Sequence, residues 1–124
     1  MKIFVAIKFG SDEFIVNRIE KMLKEKGHNP YFFIREEGYS QSISPTYIDM
    51  MKDVVRKIKE SDALLIKFSD KSVGLGIEAG IAYMLGKPIY VVYEKGMVIS
   101  NTLAGISTRM LEYNYISEIS DVFD

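Results

Sequence analysis

The chain has no cysteine, a single histidine and almost no net charge. Without cysteine there are no disulfides, no thiolate catalysis and no cysteine metal sites, which fits a reducing compartment. The one histidine, His28, follows Gly27 in a loop pattern, where it is expected to be solvated; with no cysteine partner a zinc site is not expected. No serine stands in a nucleophile-elbow pattern, and no P-loop is present. A net charge of -1 excludes a broad electrostatic grip on a nucleic acid polymer. Long apolar runs are also missing. Met1 to Phe9 is interrupted by Lys2 and Lys8 and is too short for a signal core or a membrane span, so a cytoplasmic protein without membrane association is expected.

What is there has the composition of a globular protein. Apolar residues make up 48% of the 124, too many for disorder, and the length suits one domain over residues 1–124. No repeat, low-complexity tract or linker interrupts it.

Strand-like and helix-like stretches alternate along the chain. Lys2 to Phe9 reads as a buried strand, followed by a turn at Gly10-Ser11-Asp12 and a helix whose apolar face carries Phe14, Ile15, Ile19, Met22 and Leu23 up to Gly27. Tyr31 to Ile34 reads as the second strand, and Arg35 to Ser44 as a loop that could close as a lid. Ser44-Pro45 is a helix start, with Ile48, Met51, Val54, Val55 and Ile58 as the stripe of a long second helix. Ala63 to Phe68 and Ile89 to Tyr93 are the third and fourth strands, Met110 to Tyr113 is a short fifth, and Ile116 to Phe123 is a terminal helix. Met97 to Ile106 is ambiguous and could be a loop with a short helix that packs on a neighbour. The alternation predicts an α/β fold: a three-layer, flavodoxin- or Rossmann-like sandwich around a parallel sheet of about five strands.

Between the third and fourth strands lies Asp70 to Gly86, DKSVGLGIEAGIAYMLG. Gly74 and Gly76 are expected in a tight turn that lets backbone approach a ligand, and Gly80 where a helix lies close to the sheet. Glu78 is expected in the first turn of the helix, held ionised by the helix dipole. Its bland alternative is an acid that only stabilises the helix. Ser69 and Ser72 flank the turn and either cap the helix or hydrogen-bond a sugar or phosphate. Asp12 would point to the same sheet edge, with capping as its more ordinary job. The spacing G-x-G-x-x-x-G is not the dinucleotide fingerprint, and no cofactor or metal is expected.

The run from Ser61 to Gly96 resembles the signature region of the nucleoside 2-deoxyribosyltransferase family, especially its 2'-deoxynucleoside 5'-phosphate N-hydrolase branch. The matching residues are Ser72, Gly74, Gly76 and Glu78, then Gly86, Lys87, Pro88 and Ile89, with Val98-Ile99-Ser100-Asn101 similar to a segment that reaches a neighbouring subunit's phosphate site. The resemblance implies that Glu78 attacks the anomeric carbon of a deoxyribosyl group of a nucleoside or nucleotide. Ser72, with Ser100 and Asn101 of a partner subunit, would hold a 5'-phosphate, and the protein would be a homodimer or larger homo-oligomer. Serines at both positions favour a hydrolase over a transferase. Eight residues before Asp62, where the family places an aspartate that assists the leaving base, stands Val54, with Asp53 one residue away. One residue turns a helical side chain by about 100°, so Asp53 serves as that acid only in a shifted helix register. The first turn also departs from the family, offering Gly10 as its only glycine. The alternative reading is a non-catalytic nucleotide-binding or regulatory module of the same fold. A third, NAD glycohydrolysis, suits the same glutamate chemistry without a residue of its own to support it.

Overall fold

A computed structural model of the chain describes residues 1–8, 10–33, 46–70 and 72–124. In these the order is β1 (Lys2–Ala6), α1 (Glu13–Glu25), β2 (Asn29–Tyr31), α2 (Tyr47–Glu60), β3 (Ala63–Lys67), α3 (Val73–Met84), β4 (Ile89–Glu94), α4 (Asn101–Ile106), β5 (Arg109–Tyr113) and a 3₁₀ helix, Ile116–Phe123. The strands form one sheet in the order β2-β1-β3-β4-β5, and each neighbouring pair is parallel. This is the flavodoxin-like order, in which the direction of winding reverses between β1 and β3.

Alternation along the strands supplies two cores. Ile3, Val5, Leu65 and Val92 point to one face, where Ile19 and Leu23 of α1 and Ile119 and Val122 of the 3₁₀ helix cover them. Phe4, Ala6, Leu64, Ile66 and Val91 point to the other, against Val54 and Ile58 of α2, Leu75, Ala79 and Ala82 of α3, and Leu103 of α4. Strands that bury both faces read as continuous apolar runs, the signal that β1 and β3 carry in the sequence. Asp62 ties the two central strands at their starts: its carboxylate accepts from the Lys2 amide at 2.7 Å, and its amide donates to the Lys2 carbonyl at 2.7 Å.

Several boundaries differ from the sequence expectation. β2 is Asn29–Tyr31 instead of Tyr31 to Ile34: the Asn29 amide donates to the Met1 carbonyl at 2.8 Å, and Pro30 sits opposite Ile3. Proline is tolerated there because β2 is an edge strand. Phe32 and Phe33, which gave the stretch its strand-like character, are buried in opposite cores just past the ladder. Their burial, not ladder pairing, was the source of the aromatic signal. The expected lid, Arg35 to Ser44, and the expected helix start at Ser44-Pro45 lie outside the described residues. α2 is capped at Thr46, whose hydroxyl accepts from the Asp49 amide at 3.0 Å and donates to the Asp49 carboxylate at 2.7 Å.

The largest difference is in α3. It begins at Val73, so Gly74 and Gly76 are helical residues and not a turn, and Glu78 lies past the first turn. Neither glycine has positive φ, and a Cβ at Gly74, Gly76 or Gly80 would meet nothing within 4 Å. These glycines therefore leave space beside the helix and are not required for close packing. Where the helix ends, left-handed geometry is needed: Gly86 has φ 72°, and the Lys87 amide donates back to the Ala82 carbonyl at 2.9 Å.

Candidate active site

In a doubly wound sheet, ligands bind beyond the carboxyl ends of the strands where the winding reverses. This chain has a cavity of about 540 Å³ at that place, lined by the end of β1 with Ile7 and Lys8, the turn at Gly10-Ser11 leading to Glu13, and the first turns of α3. The volume is in the range of small-molecule sites, about 300–1,000 Å³. α2 forms the facing wall with Met50, Met51 and Val54, and Phe4 and Phe33 contribute aromatic surface. The inner part of this lining is apolar and buried; Lys8, Gly10 and Glu13, with Val73, Gly74 and Ile77 of α3, are exposed and mark the rim.

Glu78 reaches the cavity because of its helical position. Leu75, Glu78, Ala79 and Ala82 are three and four residues apart and share the stripe of α3 that faces the core, so the only acid of the helix points inward. Its Oε2 is buried and has no hydrogen-bond partner among the described residues. Burial alone pushes its carboxyl up to about 7, from an ordinary value of 4.5. The first-turn expectation is thereby corrected: five residues into the helix the dipole is a weak influence, and desolvation dominates. An uncompensated buried acid is costly, and such groups cluster at functional sites.

Ser72 and Gly74 line the cavity with Glu78. Although Ser72 is at the N-cap of α3, its side chain makes no capping hydrogen bond. Gly76 is exposed, and neither it nor Ser69 is among the cavity-lining residues. Ser100 and Asn101 are also away from it: Ser100 caps α4, accepting from the Leu103 amide at 3.4 Å, and both residues are exposed. Asp53 is outside the lining too, with its carboxylate 3.5 Å from the Arg56 guanidinium, while Val54, 2% exposed, takes the place on the wall. Asp12 caps α1, accepting from the Phe14 amide at 2.8 Å. His28 is half-buried rather than fully solvated, its ring 4.9 Å from that of Phe123, and burial lowers its pKa. Among the described residues no cluster of three or more His, Cys, Asp or Glu could hold a metal, and no helix is long and apolar enough to cross a membrane.

Sequence reasoning missed Lys8, Ser11, Glu13 and the Met50-Met51 wall as parts of the site. The first three carried a usable signal, since the turn after β1 must lie at the same switch point as the turn after β3. The methionines carried none beyond the stripe that any packed helix shows.

No family model matches the sequence, and no curated protein matches it. Solved structures do. A 2-deoxyribosyltransferase from Bacillus psychrosaccharolyticus superposes with a TM-score of 0.80 at 23% identity, over 98% of this chain and 90% of that one. A CMP N-glycosidase from Clostridium botulinum gives 0.71 at 18% identity over 100% of both chains. A conserved protein from Enterococcus faecalis V583 gives 0.72 at 16% identity over 98% of both. With its sheet order and the position of its cavity, this chain has the nucleoside 2-deoxyribosyltransferase-like fold.

Proposed function

We propose that the protein cleaves the N-glycosidic bond of a nucleoside or nucleoside 5'-monophosphate, with Glu78 as nucleophile. The observation that carries the reading is the Glu78 carboxyl on the wall of the switch-point cavity, its Oε2 buried and without a hydrogen-bond partner among the described residues. The bond breaks with oxocarbenium character at the anomeric carbon; an adjacent carboxylate stabilises that charge and then captures the carbon as a glycosyl ester. Water releases the sugar in a hydrolase, and a second base does so in a transferase. Likeness to a 2-deoxyribosyltransferase and a CMP N-glycosidase supports the choice of bond. The hydroxyl of Ser72, which makes no capping bond, and the cation of Lys8, both on the lining, are suited to a sugar or a 5'-phosphate and favour the hydrolase form.

Ser100 and Asn101 would enter the site only from a second subunit. An exposed apolar stripe runs along α3 beside the cavity, with Val73 76%, Ile77 50% and Met84 83% exposed, and a second copy would cover it. Light scattering at micromolar concentration is expected to find a dimer or larger assembly; a monomer would remove Ser100 and Asn101 from the reaction.

The decisive assay incubates the protein with a panel of nucleosides and their 5'-monophosphates and measures free base. Wild-type protein is expected to release base, and Glu78→Gln to release none while it still binds ligand, because the anion is lost but the shape is kept. Release at the wild-type rate by the variant would refute the mechanism. A second reading, a nucleotide-binding module without activity, is favoured by Val54, which leaves α2 without a proton donor toward the cavity. Binding without base release from any substrate would select it.

A further inference from the structure

Resting on the assignment of Glu78 as nucleophile, we propose that the substrate is an N-glycoside whose base carries a fixed positive charge, such as a pyridinium or N-alkylated purine nucleoside. Loss of an ordinary neutral base leaves an anion and is assisted by a proton donor to another ring nitrogen or a carbonyl oxygen of that base. Among the described residues, the lining away from its exposed edge holds the weakly acidic hydroxyls of Ser11 and Ser72 and no ionisable donor besides Glu78 itself. α2 presents Met50, Met51 and Val54 to the cavity, and its nearest acid, Asp53, is held toward Arg56. The other ionisable lining groups, Lys8 and Glu13, are at the exposed rim.

A cationic base removes the need. When the bond between C1' and the charged ring nitrogen breaks, the bonding electron pair goes to nitrogen, and the base leaves neutral without a proton. The Glu78 carboxylate forms the new bond to C1'; water then attacks that carbon, the ester bond returns its pair to the carboxylate, and the water gives up one proton to solvent. The same walls suit the ground state of a cation. Phe4 and Phe33 line the cavity with aromatic side chains, the methionines offer polarisable sulfur, and among the described residues the one ionisable side chain on the lining away from its exposed edge is an acid, Glu78. A cation in the cavity would also hold Glu78 in the ionised form that attack requires.

The test uses pairs matched in shape, 7-methylguanosine against guanosine and nicotinamide mononucleotide against cytidine 5'-monophosphate, with base release by the wild-type protein followed chromatographically. General acid assistance is worth about 10² to 10⁴ in rate, so kcat/KM for the cationic member should exceed that of the neutral one by at least about 10². Ratios below about tenfold would overturn the proposal and leave the N-glycosidase reading standing. No release from any substrate would overturn that reading, and this one with it. Val54→Asp, which puts a carboxyl on the bare wall, should raise release of the neutral bases and shrink the ratio. If the variant fails to fold, which melting would reveal, the wild-type ratios decide alone.

Discussion

α2 and α3 wall the same cavity and distribute charge in opposite ways. α2 carries Asp49, Lys52, Asp53, Arg56, Lys57, Lys59 and Glu60, none of which lines the cavity, and turns Met50, Met51 and Val54 toward it. α3 carries Glu78 alone and turns it inward, while Val73, Ile77 and Met84 are left exposed. The first is an amphipathic arrangement in its charges, although Tyr47 and Ile48 at its start are also exposed, and folding energetics account for the burial of Val54 and Ile58. The second works against stability on both of its faces. Its inward acid and its exposed apolar side chains are the two features that the proposed ligand and second subunit would use. The two helix starts differ likewise: Thr46 caps α2 by a side-chain bond, and Ser72 makes none at α3.

The largest stability effect should come from the ordinary side of this comparison. Ile58, fully buried on α2, should cost about 2–5 kcal/mol on change to Ala, measured by denaturant unfolding. A smaller loss would mean that the α2 core collapses into the cavity.

Next is Glu78→Gln, whose effect depends on pH. Because burial raises the folded pKa to about 7, the native state binds more protons than the unfolded chain between pH 4.5 and 7. The stability associated with Glu78 is therefore complete below the unfolded value and is lost as pH rises through about 7. Between pH 4 and pH 8 the difference between variant and wild type should move in favour of Gln by on the order of 3 kcal/mol. The activity runs the other way: kcat/KM should climb about tenfold per pH unit and level off above about 7, as the carboxylate forms. A flat pair of profiles would remove the argument from burial.

Smaller still, Thr46→Ala should cost about 0.5–2 kcal/mol through the lost cap. Ser72→Ala should change melting by less than about 0.5 kcal/mol, since no capping bond is lost. Equal costs would erase the contrast between the helix starts. Smallest is Asp53→Asn, expected to stay within about 1 kcal/mol, as its partner Arg56 is half exposed. Base release should be unchanged; a fall of about 10² to 10⁴ would instead make Asp53 the leaving-group acid.

The sheet was legible in the sequence because apolar runs and helical stripes are local patterns, and parallel strands buried on both faces enforce them at β1, β3 and β4. That Glu78 lies on a helix after the third strand was legible too, but its place in that helix was not. Gly74 and Gly76 suggested a turn, and only the folded structure shows that they are helical and that the acid faces the core. The α2 wall was half visible: counting residues put Val54 where an acid was expected, but which of Val54 and Asp53 faces the cavity depends on helix register, fixed by packing against α3. Aromatic residues at Tyr31 to Phe33 misled, since burial and strand pairing favour the same side chains.

The central claim is that Glu78 bonds to the sugar. Quenching the wild-type protein with acid during turnover, digesting it and weighing the fragments tests it most directly. A fragment containing Glu78 should gain the mass of one glycosyl group, matched to the sugar of the substrate supplied, and the gain should be absent in Glu78→Gln. Sustained base release with a glycosyl group trapped on another residue would contradict the account.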